Sequence, residues 1–186
     1  MTDANSLDDL SKGGKNPETK STIIKYGVIL GLASVIIAVL TNLLGGADPL
    51  NPKPAVSIGL GCGGFILSIV IIVMAVKSIR DSAHNGGRIS IGDAFLLGFF
   101  VAMIGTLMGA VYNFLNLTVI NPEQLEVVRE MMEEVMESAG DDAQGVASFF
   151  TNFATNPTMQ FVSTLVGGAF FNAIIAIIVA AIMKKD

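Results

Sequence analysis

Four runs of this sequence, 23–44, 55–76, 94–117 and 159–183, are each long and apolar enough to cross a lipid bilayer. A hydrocarbon core about 30 Å thick takes about 20 residues of helix at 1.5 Å per residue. Mean hydropathy of +0.65 and a charged fraction of 15% agree with this, since soluble domains carry about 25% charged residues. In 186 residues the four runs leave no room for a large soluble domain. The fold class this predicts is all-α, an integral-membrane four-helix transmembrane bundle.

Where the charges sit predicts orientation better than the net value of −5. Of the 11 basic residues, nine flank one set of helix ends: Lys12, Lys15, Lys20 and Lys25 before or at the start of span one, Lys77, Arg80 and Arg88 between spans two and three, and Lys184 and Lys185 after span four. Lys53 and Arg129 fall on the other side. Short loops rich in Lys and Arg stay cytoplasmic. Both termini are therefore expected in the cytoplasm. The long loop 118–158 then faces the opposite compartment. Residues 1–21 mix polar and charged side chains with too little apolar surface to offset ordering entropy, and predict a flexible cytoplasmic tail. A leader this polar does not match a cleaved secretory signal, so span one is expected to be retained. The one cysteine, Cys62, excludes a disulfide framework or thiolate zinc site within the chain and is expected to be a small buried hydrophobe.

The connections carry turn and cap signals. In 45–54, GGADPLNPKP, glycine and proline end one helix and start the next, making spans one and two a hairpin. Asn85-Gly86-Gly87 is a second turn, and Ser90 and Asp93 are candidate N-caps for span three. Arg80, His84 and Arg88 suit ordinary topogenic charge more than specific headgroup binding. In the long loop, Asn121-Pro122 supplies a cap and a first helical proline, with Gln124 at the capping-box position. Leu125, Val128, Met131, Met132, Val135 and Met136 then recur at steps of three and four, opposite Glu126, Arg129, Glu130, Glu133, Glu134 and Glu137. That spacing predicts an amphipathic helix ending near Gly140. A shorter element over 142–154 gathers Phe149, Phe150 and Phe153, and Asn156-Pro157 breaks it before span four.

Inside the spans the clearest pattern is a stripe on span three, Gly98, Ala102, Gly105, Gly109, Asn113 and Asn116. Small residues let helix backbones approach in lipid and asparagine bonds across helices, so the stripe predicts a packing seam. Gly27 and Gly31 in span one, Gly59 and Gly63 in span two, and Thr164, Gly168 and Asn172 in span four offer partners for it. The span interiors hold no charged group, which argues against ion-coupled transport. No nucleophile stands beside a base, no carboxylate pair lies in a span, and no HExxH motif is present. Catalytic, cofactor-binding and metal-binding residues are accordingly expected to be none. The glutamates of the loop helix read as a solvated face, lacking the loop spacing that wraps calcium.

The succession from Arg80 through Asn85-Gly86-Gly87, Ile89-Ser90-Ile91-Gly92-Asp93-Ala94-Phe95 and Tyr112-Asn113-Phe114 to Asn121-Pro122 resembles an uncharacterised bacterial membrane-protein family. That family is number 4199 among the domains of unknown function and is found mainly in Bacteroidetes. The resemblance implies a four-helix inner-membrane protein with a helical extracytoplasmic loop between spans three and four. It implies no activity and carries over no catalytic residue. Asp93 stands where typical members have a polar amide.

The function expected is that of a non-enzymatic membrane protein whose loop helix docks on the membrane or on a partner through its Leu125 to Met136 face, in assembly or envelope maintenance. The alternative is a small passive channel or permease lined by Asn113, Asn116 and Asn172. Expected partners are the bilayer, a membrane or periplasmic protein, or a second copy of the chain, and no nucleic acid.

Overall fold

In the computed structural model, residues 17–48, 50–51, 53–82, 85–139, 151 and 153–184 are described. Five α-helices follow in order: α1 (Pro17–Leu43), α2 (Pro54–Arg80), α3 (Ile91–Leu115), α4 (Glu123–Ala139) and α5 (Pro157–Met183). A π-helical turn, Asn116–Ile120, prolongs α3. Among the described residues there is no β-sheet. The four helices α1, α2, α3 with its π-turn, and α5 are long and apolar enough to span a membrane.

Helix boundaries follow local chemistry. Helix α1 begins at Pro17, with Glu18 in its first turn near the positive end of the helix dipole. Of the expected tail over 1–21, residues 17–21 are helical and 1–16 lie outside the described residues. At its other end α1 closes in a Schellman motif. Gly45, at φ +78°, donates its N–H to the Asn42 carbonyl at 3.1 Å, and Gly46 donates to Thr41 at 2.8 Å. Gly86 and Gly87 adopt positive φ in the turn after α2, where the Asn85 amide donates to the Ile79 carbonyl at 3.0 Å. Ser90 caps α3, accepting the Asp93 N–H at 3.1 Å while its hydroxyl donates to the Asp93 carboxylate at 2.7 Å. Asn156 caps α5, accepting from the N–H groups of Thr158 and Met159, ahead of Pro157.

Helix α3 is the centre of the bundle, packed along α1 on one side and α5 on the other, while α2 lies mainly against α1. The chain alternates direction, so the start of α1, the end of α2, the start of α3 and the end of α5 share one end, here called the basic end. The hydrophobic core sits there. Leu30, Ile71, Ile72, Ala75, Val76, Ile79, Ala94, Leu97, Val101, Ala102, Val179, Ala180 and Met183 form one buried cluster. All buried residues of α2 fall between Ile71 and Ile79. Beyond this cluster, toward the opposite or acidic end, the buried hydrophobic residues are Ala110 and Leu117.

Two expectations are corrected here. Gly59 and Gly63 do not serve as packing partners: a Cβ added at either one, or at Gly61, meets nothing within 4 Å. Cys62 is exposed rather than buried. Both follow from α2 having only α1 as its main neighbour in this half, where Gly64 approaches Ile37. A helix that is apolar all round carries no signal of which face will be covered.

Candidate functional site at the acidic end

Helix α3 meets its neighbours through close backbone approaches spread along its length. Gly98 lies against Ile72 of α2 and Ala176 of α5, and Ala102 is buried. A Cβ on Gly105 would stand 2.7 Å from Leu30 of α1, and the nearest atom to one on Gly109 is Ser34 Cβ at 3.9 Å. Reciprocally, Gly27 and Gly31 of α1 receive Ile104 and Met108. The stripe that the sequence places on one face therefore has several neighbours: α2 and α5 near the basic end, α1 from the middle onward.

Near the middle of α3 and α5 the contact becomes polar. The Asn172 amide donates to the Thr106 hydroxyl at 2.8 Å and lies 3.8 Å from the Met103 sulfur. Gly168, one turn away, makes room for it, since a Cβ there would sit 2.5 Å from the Thr106 methyl. Closer to the acidic end Phe114 and Phe161 meet edge to face at 6.0 Å between centroids.

The most connected polar group is Asn116, the one buried polar residue among those described, at 4% exposure. Its side-chain oxygen accepts from Asn121 Nδ2 at 2.8 Å and from Asn42 Nδ2 at 3.5 Å. Its own Nδ2 donates to Gln124 Oε1 at 3.5 Å, and its carbonyl accepts the Asn121 N–H at 2.7 Å. Asn42 Nδ2 also donates to the Tyr112 hydroxyl at 3.3 Å. One amide thus joins the end of α1, the π-turn and the first turn of α4. Burial is affordable because each polar atom of Asn116 finds a partner. Asn113 is half-buried and takes no part in these bonds.

The hub changes the expected role of the α4 cap residues. Asn121 and Gln124, spaced to cap the helix, turn their side chains to Asn116 instead. Local spacing does not distinguish the two roles, because a cap residue and a tertiary hydrogen-bonding residue are the same residue type. The signal available was the density of amides at 113, 116, 121 and 124, next to Asn42 at the end of α1.

Among the described residues the main tertiary contact of helix α4 is with the π-turn at the end of α3. Leu125, Val128 and Met132 are half-buried, Met131 is 45% exposed, and Glu126, Arg129, Glu130, Glu133 and Glu134 are exposed. The side chains of Val135 and Met136, together with Gly140, Phe149 and Phe150, lie outside the described residues. Of the expected short element over 142–154, the described residues Thr151, Phe153 and Ala154 are helical, and Phe153 is exposed. Two open hollows, of about 460 and 510 Å³, lie far from this region, at the basic end where Lys20, Ser21, Thr22, Lys25, Ser78 and Ser82 line the start of α1 and the end of α2.

An apolar four-helix bundle with interhelical hydrogen bonds at Asn42 and Asn172 defines the class: a four-helix membrane protein without a charged group buried among its described residues. The model of the family described as protein of unknown function (DUF4199) matches residues 25–185, and the chain belongs to that family. No curated protein and no solved structure matches it.

Proposed function

We propose that this is a non-enzymatic membrane protein whose α4 helix docks a protein partner through the face formed by Leu125, Val128, Met131, Met132, Val135 and Met136. The observation that carries the proposal is the isolation of an amphipathic helix. Helix α4 is tied to the bundle at its first turn, yet Met131 stays exposed and no spanning helix packs along it among the described residues. Methionine adapts to varied apolar partners. The acidic opposite face favours a protein over a lipid surface, because helices that lie on bilayers carry Lys and Arg on the polar face to attract anionic headgroups. With basic residues concentrated at the other end, the positive-inside rule puts both termini in the cytoplasm and α4 outside the inner membrane.

The channel alternative has weaker support. Asn116 is buried in a closed set of hydrogen bonds and Asn172 is bonded to Thr106, so both serve helix contacts, leaving Asn113 alone. The test is a photoreactive residue placed at Met132 in cells, followed by mass spectrometry of what it captures. A specific protein that is lost on converting Met131 and Met132 to serine is the expected result. Capture of lipid alone points to the bilayer surface and overturns the partner proposal, and capture of the same chain identifies an oligomer.

A further inference from the structure

We infer that the π-turn and the Asn116 hub form a latched hinge that sets the direction in which α4 leaves the bundle. A π-turn adds a residue to the helical turn, as the Asn121 N–H to Asn116 carbonyl bond, five residues back, shows directly. Each residue advances an α-helix by about 100° around its axis. Relaxing this turn to ordinary α geometry therefore redirects the chain at Asn121 by about that angle around α3, and α4 swings with it.

The side chains hold the wider turn in place. Thr118 donates its hydroxyl to the Phe114 carbonyl at 2.7 Å, the i−4 bond that Ser34 and Thr41 also make in α1 and that tends to bend a helix. Asn121 grips Asn116 twice, through its N–H at 2.7 Å and its amide at 2.8 Å. The bonds that leave the turn are long, 3.5 Å to Asn42 on α1 and 3.5 Å to Gln124 on α4. Hydrogen bonds weaken toward that distance. The shortest bonds of the hub therefore hold Asn121, where the chain turns into α4, against Asn116. Val119 and Ile120, on the outside of the turn, are 69% and 55% exposed and leave space for the rearrangement.

The inference is independent of what α4 docks on, because it concerns the free protein. The experiment uses the full chain with Cys62→Ser in nanodiscs, spin labels on Cys substituted at Glu133 and at Lys53, and electron–electron distance measurement. Deleting Val119 removes the extra residue of the turn. For α4 as a rigid arm rising 1.5 Å per residue, the label distance should shift by about 10 Å. Asn116→Leu, which keeps the chain length, should broaden the distribution without the uniform shift. Should either variant fail to fold, Asn121→Ala supplies the same latch test. Distances that stay within the parent distribution in the deletion, or in the latch variant that folds, overturn the proposal.

Discussion

At the basic end Ala75, Val76, Ala94, Val101 and Ala180 are sealed from solvent in one apolar core. At the acidic end the same helices meet through Asn42, Tyr112, Asn116 and, nearer the middle, Thr106 and Asn172, and α2 leaves three glycines facing open space. Lipid tails are as apolar as the side chains, so in a bilayer no hydrophobic force separates helices from lipid. Association rests on close packing and on interhelical hydrogen bonds. Close packing at glycines runs through both halves, and the acidic half adds interhelical hydrogen bonds. Close packing has many small contributions and little freedom to rearrange. A few directional bonds leave a region that can change its partners, and α4 is attached to that region.

The sharpest way to break this contrast is to place a charge in the packed half. Val76→Asp should cost about 3 kcal/mol or more, the penalty for a buried charge left without a partner, and should yield little folded protein by size exclusion in mild detergent. A near-wild-type yield would mean that the basic half is not a closed core. Next comes the crossing of α3 and α5. Gly168→Leu forces a side chain into Thr106, and overpacking of this kind costs about 1–3 kcal/mol, read as a lower unfolding temperature. Repair by Thr106→Ala would locate the clash.

A smaller effect is expected from the polar contact itself. Asn172→Leu should destabilise by about 0.6 to 1.7 kcal/mol, and a double-mutant cycle with Thr106→Val should recover most of that as coupling. Additive effects would show that the two side chains act separately. The smallest change is Gly61→Leu on the open face of α2. It should alter stability by no more than about 1 kcal/mol, in the stabilising direction that helix propensity gives. A strong loss there would reveal a neighbour on that face and erase the contrast between the halves.

Much of the fold is legible in the residues. The four apolar runs mark the spanning helices, Gly45 and Gly86-Gly87 mark turns, and Ser90 and Asn156-Pro157 mark helix starts, because each signal depends on chemistry within a few residues. What was not legible shares a different character. The expectation that Cys62 is buried failed because span two is apolar on every side, and hydropathy in such a helix does not distinguish a lipid neighbour from a protein neighbour. The cap residues of α4 were visible, but their engagement with Asn116 was not, because it depends on the end of α1 arriving beside the end of α3, 74 residues apart in sequence.

The sequence by itself determined that this chain is a membrane protein of four helices, with its basic residues gathered at one end and a glutamate-rich helix at the other. Those properties follow from the length, composition and period of single segments. Only the tertiary structure decided that α3 is the central helix, that the sealed core occupies the basic half, and that Asn116 joins α1, the π-turn and α4. Close approach and hydrogen bonding are properties of pairs of segments, and in a medium as apolar as the side chains the choice of pairs is made by shape and bond geometry, which no single segment contains.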